Sequence, residues 1–197
     1  MKKSFMSAAV VFFMLVLSSG MAFGAGSTAT YEKAARRTAG IFMQKLGKDL
    51  KKEMKSGGAA GAIRVCSNIA PSMARQLSLK NGWKVTRVGT RVRDPLLGMP
   101  DAWEQKVLEG FQKRAAKGED IDKMSYFDVV TEPNGKKYFR YMKAIAVKPV
   151  CLACHGPKEQ IAPAVLSFIN KRYPHDMATG YRVGDLRGAI SIKGPIR

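Results

Sequence analysis

A helical repeat of apolar residues runs through the first third of the chain. Over residues 30–55, apolar side chains recur every three or four positions among Lys, Arg and Glu, which predicts an amphipathic helix. Ser56-Gly57-Gly58 predicts its end, and residues 59–79 predict a second helix that Asn81-Gly82 terminates. The inner face of the second helix is expected to carry Ile63, Cys66, Ala70, Met73 and Leu77.

Shorter apolar stretches, typical of strands, follow the second helix. They predict strands over residues 83–92, 123–130, 136–147 and 187–193. Pro133-Asn134-Gly135 separates the middle two, so these two are expected to form an antiparallel hairpin.

Two further helices are predicted among the strands. Asp101 with Glu104 three residues later is typical of a capped helix start, and Trp103, Val107 and Phe111 then share one face. Residues 161–173 predict another helix, whereas 94–100 and 149–156 are predicted loops. Helices followed by strands with helices between them indicate an α+β domain around an antiparallel sheet. A nucleotide-binding fold is excluded because no strand precedes a Gly-rich phosphate loop.

The amino terminus predicts export. Lys2 and Lys3 precede a mainly apolar stretch, residues 5–17, which is too short to span a bilayer comfortably, and Ala22-Phe23-Gly24 supplies small residues for cleavage. We therefore expect a secretory signal peptide over residues 1–24 and one domain over residues 25–197 in the periplasm. An uncleaved anchor is the alternative. Since no other segment approaches the length of a membrane span, the mature protein is expected to be soluble.

Composition and charge limit the classes of protein to which the chain can belong. The 197-residue chain is 46% hydrophobic and 25% charged, which excludes a largely disordered protein. Its 34 Lys and Arg against 15 Asp and Glu give a formal charge of +19. Such a charge could suggest nucleic acid, but export removes the protein from that compartment. We expect either an ordinary solvated basic surface or attraction to acidic partners or an anionic membrane face.

Residues 151–155 carry the chemistry, because they read Cys-Leu-Ala-Cys-His. In this C-x-x-C-H spacing two thiols can add to the two vinyl groups of a haem, and the adjacent His155 can bind the iron. A disulfide between Cys151 and Cys154 and half of a zinc site are the alternatives. The zinc site would also need Cys66 and His155 or His175, and a second close pair of ligands, typical of structural zinc, is missing from the sequence.

Iron held by His155 has one more axial position, and the sequence leaves its ligand open. His175 is the default by chemistry, although an exposed residue of a polar turn is the simpler interpretation of it. Cys66 is the unmatched thiol of an exported protein, so it is either a small buried hydrophobe or a thiolate ligand. Met73 is a weaker candidate because a Met on such a face is usually part of the core.

The sequence resembles the small periplasmic monohaem c-type proteins with a PAS-like fold, long catalogued as a domain of unknown function. The same domain is the extracytoplasmic sensor of some histidine kinases and chemotaxis-type receptors. The resemblance covers most of the chain after Gly58. The segments that carry it are 62–66 (Ala-Ile-Arg-Val-Cys), Ala70-Pro71, Gly82-Trp83, 91–93 (Arg-Val-Arg), 100–104 (Pro-Asp-Ala-Trp-Glu), 140–142 (Arg-Tyr-Met), 151–156, Tyr173-Pro174, Asp176, 178–181 and 184–189.

The resemblance implies a PAS-like antiparallel sheet flanked by helices, with long amino-terminal helices. It also implies one covalent haem c with His155 and Cys66 as its axial ligands, and it favours Cys66 over His175. The sequence departs from the family at residues 94–99, where Asp94 stands in place of an Asn and the segment Leu96-Leu97-Gly98-Met99 contains no Asn. This difference concerns only local loop contacts, since neither proposed iron ligand lies there.

These features predict an exported cytochrome that transfers single electrons or senses redox state, with an acidic redox partner or a signalling protein. The alternative is a haem-based gas sensor in which Cys66 leaves the iron on reduction and a small gas ligand binds. We expect no enzyme activity, because two protein ligands would occupy the iron. Arg64, Arg140 and Arg187 are candidate counter-charges for haem propionates, although ordinary surface arginines are the simpler interpretation.

Overall fold

A long, broken helix begins the part of the chain that the computed structural model describes, residues 25–196. Helix α1 spans Ala25–Arg64 and is interrupted at Gly58, whose backbone angles (φ 58°, ψ −155°) are almost restricted to glycine. The predicted boundary between two amino-terminal helices is therefore confirmed at Gly58. The predicted signal peptide, residues 1–24, lies outside the described residues. Over residues 25–196, no helix is both long and apolar enough to cross a membrane.

A π-helical segment, Val65–Ile69, joins α1 directly to α2, Ala70–Asn81. The predicted second helix is thus present, but the apolar pattern gave no sign of its wider π turn. Helix α2 ends as predicted at Gly82, which is left-handed (φ 67°) and donates its N–H to the Ser78 carbonyl at 2.9 Å.

The sheet contains four antiparallel strands: Lys84–Gly89 (β1), Ser125–Thr131 (β2), Lys137–Ala146 (β3) and Leu186–Pro195 (β4). Their spatial order is β1-β4-β3-β2. The strands β2 and β3 are the predicted hairpin, while β4 lies between β1 and β3, so the strand that comes last along the sequence is central. The predicted α+β class with an antiparallel sheet and a long amino-terminal helix is confirmed, whereas a specifically PAS-like fold stays a prediction.

The remaining helices lie between the strands. The predicted start of the helix after Asp101 is confirmed, because the Asp101 carboxylate accepts from the Glu104 N–H and the Glu104 carboxylate accepts from the Asp101 N–H. The predicted loops over 94–100 and 149–156 are wrong in part, since each contains a short helical turn that begins with a proline. The helices are α3 (Pro95–Gly98), α4 (Ala102–Ala116), α5 (Leu152–His155) and α6 (Pro163–Arg172), with 3₁₀ turns at Ile121–Lys123, Pro149–Cys151 and Lys158–Gln160.

Two hydrophobic clusters cover the two faces of the sheet. Helix α4 packs Leu108 and Phe111 on one face, and α1 packs Phe42 on the other. A third cluster, in which Ile63 of α1 meets Ile169 of α6, ties the end of α1 to the segment that follows residues 151–155. This packing brings the two chain segments with cysteines to the same end of the molecule.

Candidate cofactor site

One cavity of about 470 Å³ gathers all four predicted site residues, Cys66, Cys151, Cys154 and His155. Its volume falls in the range of protein pockets that hold small molecules and cofactors. The three cysteines are free thiols. Much of the remaining wall is apolar and comes from α1, α2, β1, the segment after β1, and α6: Phe42, Leu46, Leu50, Ala62, Ile63, Ala70, Val85, Val88, Val92 and Ile169.

His155 is held in a fixed tautomer at the cavity wall. Its Nδ1 lies 2.6 Å from the Ala178 carbonyl oxygen, so Nδ1 carries the proton and donates it, and Nε2 keeps its lone pair. The ring also meets Tyr181 edge to face, with centroids 6.2 Å apart. Burial, together with the positive charges of Arg187 and Arg93, lowers the pKa of His155 well below its usual value. The neutral imidazole that results is the form that binds a metal ion.

The two thiols of the C-x-x-C-H segment lie on a compact turn. Cys151 ends the 3₁₀ turn and Cys154 belongs to α5, and both contribute to the cavity wall. Burial raises the pKa of Cys151, and it raises that of Cys154 to about 11, with a further contribution from the nearby Cys66. Both are therefore protonated thiols at neutral pH. Gly156 follows the turn. A Cβ at this position would lie 2.8 Å from the Leu152 carbonyl oxygen, so only glycine fits without a shift of the backbone.

Cys66 faces the same cavity from the π-helical segment. The side chain is half-buried, whereas its neighbour Val65 is fully buried and Ile69, at the end of the segment, is partly exposed. Met73 belongs to the hydrophobic core and does not line the cavity, as its helical spacing predicted, and His175 is exposed on the surface. Of the three candidates for the second axial position, only Cys66 lies in the cavity wall.

Positive charge dominates the polar part of the wall. Five arginines line the cavity against one carboxylate, Asp94, which already accepts from the Leu96 N–H at 3.1 Å. Among the described residues, no carboxylate pairs with Arg87 or Arg187. The half-buried Arg187 side chain places its guanidinium over the Tyr181 ring, 5.3 Å from its centroid, and desolvation lowers the pKa of Arg187 to about 10. The cavity therefore favours an occupant that carries negative charge.

The three arginines proposed as propionate counter-charges have different positions. Arg187 lines the cavity, as that proposal requires. Arg140 is buried elsewhere and pairs with Asp101 at 2.7 Å, so it is neither a surface residue nor a cavity residue. Arg64 is exposed and pairs with Glu53 at 3.3 Å.

The ion pair of Arg93 with Asp176 holds the C-x-x-C-H segment, because Arg93 also donates to the Cys154 carbonyl, and the sequence did not predict this pair. Arg93 Nε and Nη2 lie 3.1 and 3.2 Å from the two carboxylate oxygens of Asp176. The only signal in the sequence was the alternation Arg91-Val92-Arg93 at the end of the strand predicted over residues 83–92, which places both arginines on one side of the chain. Nothing in the spacing indicated that the partner would be Asp176, more than 80 residues away.

The four-stranded antiparallel sheet and the cavity beside residues 151–155 define an α+β protein whose half-buried C-x-x-C-H segment lines a cavity. The Tll0287-like family model matches residues 27–195, so the chain belongs to this family, which confirms the family resemblance seen in the motifs. Among solved structures, the chain is similar to the cyanobacterial haem protein Tll0287, with a TM-score of 0.62 and 22% identity over 88% of this chain and 98% of that one. At this identity the likeness shows the fold. No curated protein matches the sequence significantly.

At residues 25–196, no group of three or more His, Cys, Asp and Glu side chains is arranged to hold a bare metal ion. The zinc alternative for Cys151 and Cys154 therefore finds no assembled ligand set in this part of the chain. The free state of the three cysteines likewise gives no support to the disulfide alternative.

Proposed function

We propose that the chain is an exported monohaem c-type cytochrome that transfers single electrons or senses redox state. The observation that carries the proposal is the convergence of Cys66, Cys151, Cys154 and His155 on one apolar cavity. Membership of the Tll0287-like family and the fold shared with a cyanobacterial haem protein support it.

The cavity fits a haem in three respects. Its volume and apolar wall suit a flat, largely hydrophobic ring. Arg87 and Arg187, which lack carboxylate partners among the described residues, suit the two propionates. His155 offers its unprotonated Nε2 because Nδ1 is already used on Ala178.

Each of the four residues then has a chemical role. Cys151 and Cys154 would hold the haem through thioether bonds, each thiol giving its sulfur and its hydrogen to the two carbons of a vinyl group. His155 and Cys66 would bind the iron from its two sides. The bound haem supplies a one-electron couple between ferric and ferrous iron.

The choice of Cys66 as a ligand has two consequences. A thiolate gives electron density to ferric iron, so Cys66 would lower the midpoint potential relative to a neutral ligand. Two protein ligands also leave no open position on the iron, which favours a role in electron transfer or sensing over catalysis.

A gas sensor is the second candidate, and the π-helical segment favours it. π-helical segments inside α-helices are rare and occur frequently at functional sites. Because Cys66 lies in such a segment between α1 and α2, its side chain could leave the iron by a local change from π to α geometry. A small gas ligand could then take its position after reduction.

Replacement of Cys66 by serine tests the ligand assignment. We expect the haem to remain covalently attached and the ferric protein to lose the low-spin spectrum of thiolate ligation, because serine is a far weaker ligand than a thiolate. The measurement is the optical spectrum of exported protein in its ferric and ferrous states. Ser67→Ala is the matched control, since Ser67 is the next residue of the π segment and also lines the cavity. An unchanged ferric spectrum in Cys66→Ser would exclude Cys66 as the ligand.

Addition of carbon monoxide to the ferrous protein separates the two candidate functions. Rapid binding with a shifted Soret band would show that Cys66 leaves on reduction and would favour the sensor. A ferrous protein that stays six-coordinate and does not bind carbon monoxide would favour the electron carrier.

We also propose an acidic partner protein that docks at the mouth of the cavity. Arg75 and Arg91 are exposed there, and the neighbouring segment presents Leu96, Leu97 and Met99 to solvent. A small apolar area beside cations suits a transient contact with a protein of opposite charge.

Electron exchange with small charged reagents tests the docking site. Oxidation of the ferrous protein by anionic ferricyanide is expected to slow as salt is added, and Arg75→Gln is expected to slow it at low salt. Lys113→Gln, on the exposed side of α4 across the sheet, is the control and should leave the rate unchanged. Equal effects of the two variants would argue against docking at the cavity mouth.

A further inference from the structure

We infer that Arg93 and Asp176 are positioning residues that set how strongly His155 donates electrons to the iron. They act through the Ala178 carbonyl, which accepts from both His155 and Arg93. This inference rests on the proposed function and adds to it a device that tunes the reduction potential.

The geometry centres on one carbonyl oxygen. His155 Nδ1 lies 2.6 Å from the Ala178 oxygen, and Arg93 Nη2 lies 3.3 Å from the same atom. Arg93 Nη2 also donates to the Cys154 carbonyl at 2.6 Å. The Asp176 carboxylate accepts from the Ala178 N–H at 2.8 Å, so it fixes both the guanidinium and the residue that presents the carbonyl.

Within the described part of the chain, Arg93 is the one cavity arginine that forms an ion pair with a carboxylate. Its side chain is 13% exposed and that of Asp176 is 7% exposed, which makes the ion pair nearly buried. It joins three parts of the chain that are distant in sequence: the segment after β1, the C-x-x-C-H turn and the loop before β4. A buried pair in bidentate geometry, with its spare donors also used, holds its atoms in one arrangement.

The shared carbonyl has an electronic consequence for His155. A hydrogen bond from Nδ1–H to an acceptor makes the imidazole a stronger donor through Nε2. A carbonyl oxygen that accepts from two donors forms a weaker hydrogen bond with each of them. Arg93 therefore weakens the hydrogen bond from His155 Nδ1–H to the Ala178 carbonyl. The imidazole then donates less electron density through Nε2. As a result, the reduction potential of the haem would be higher than it would be if the Ala178 carbonyl accepted from His155 alone.

The test is the double variant Arg93→Met with Asp176→Asn, expressed as exported protein. It removes one positive and one negative charge, so the net charge is unchanged, and it avoids an unpaired buried ion. The asparagine in place of Asp176 would keep an oxygen for the Ala178 N–H, whereas the methionine in place of Arg93 fills space without a donor. We expect the ratio of ferric to ferrous protein at a fixed potential to rise about tenfold, which is about 59 mV for one electron.

A second readout reports the hydrogen bond directly. The proton signal of His155 Nδ1–H in the ferrous protein is expected to move downfield in the double variant, because its bond to Ala178 strengthens. Arg91→Met is the matched control: Arg91 also lines the cavity, but it donates to the Thr179 carbonyl at 2.8 Å. This control measures the loss of a nearby charge without any change at Ala178.

The outcomes are distinct. A lowered potential and a moved proton signal in the double variant, with an unmoved signal in Arg91→Met, support the inference. An unmoved signal and potential in a double variant with normal haem overturn it and leave the proposed function intact. If the double variant takes up no haem, Arg93→Lys is measured in its place, because lysine keeps the positive charge but lacks the bidentate guanidinium. A reduction potential equal to that of the native protein would then overturn the inference. Native protein without covalent haem would instead contradict the proposed function.

Discussion

Replacing Cys151 and Cys154 together by serine is expected to abolish covalent attachment of haem. Serine hydroxyls are nearly the same size as thiols but form no thioether bonds, so the fold should persist while the linkage is lost. Both thiols line the cavity beside His155, and the turn contains no further cysteine that could replace them. The measurement is the haem that stays with the polypeptide after extraction with acidified acetone, and we expect none above background.

The single-cysteine variants provide the controls for this experiment. Cys66→Ser should retain covalent haem fully, because Cys66 is proposed to bind iron and not a vinyl group. Cys151→Ser alone should leave one thioether and shift the ferrous absorption bands towards those of a haem with one free vinyl. Haem that remains covalently bound in the double serine variant would contradict the attachment site.

Arg140→Met is expected to destabilise the protein by about 3–5 kcal/mol, the usual cost of breaking a buried ion pair. Arg140 on β3 lies 2.7 Å from Asp101 and 3.4 Å from Glu104 at the start of α4. Glu104 is 5% exposed and accepts a 2.6 Å hydrogen bond from Ser191. Removal of the guanidinium would leave the Glu104 charge buried without an ionic partner. Urea denaturation gives the change in the free energy of unfolding.

Lys193→Met is the matched control for Arg140→Met. Lys193 lies opposite Arg140 in the pairing of β3 with β4, but its ion pair with Glu132 is partly exposed, so the loss should be about 0–1 kcal/mol. Adding Glu104→Gln to Arg140→Met should restore part of the lost stability, since the stranded charge is removed. Equal losses in the two single variants would contradict the argument from burial.

Low pH should reduce the loss in the free energy of unfolding that Arg140→Met causes. Burial alone would raise the pKa of Asp101, but the hydrogen bond from Arg140, with help from the Glu104 N–H, holds that pKa below its ordinary value of 3.8. The resulting stabilisation is fully present above pH 3.8 and is lost as the pH falls through the lowered value in the folded state. The difference between the native protein and the variant should therefore narrow below pH 3.8.

Local signals in the sequence predicted most elements of the fold. Gly58, the capping pair Asp101 and Glu104, and the turn at Asn134-Gly135 each act on neighbouring residues, so their effect can be read without the rest of the structure. The order of the strands could not be predicted in this way. It depends on which faces pack together, and the placement of β4 between β1 and β3 has no local signature.

The candidate site was predictable to the extent that its chemistry is contained in short segments. The C-x-x-C-H spacing identified Cys151, Cys154 and His155. The unmatched thiol made Cys66 a candidate, the family resemblance favoured it, and all four residues line one cavity. The π-helical segment was not predicted, because the same apolar residues suit an ordinary α-helix. The Arg93–Asp176 pair was not predicted either, since contacts across more than 80 residues are set by tertiary packing.

For the exported cytochrome that we propose, the central position of β4 would also affect the order of events during export. A chain that emerges from its amino terminus presents β1 first and then the β2–β3 hairpin, and these two pieces have no hydrogen-bonded edge in common until β4 arrives between them. Residues 151–155 precede β4, so in the proposed export they would emerge before Arg187 completes the cavity wall. The two thiols would then be open to a maturation enzyme while the chain is still incomplete, and closure of the sheet afterwards would enclose the attached group.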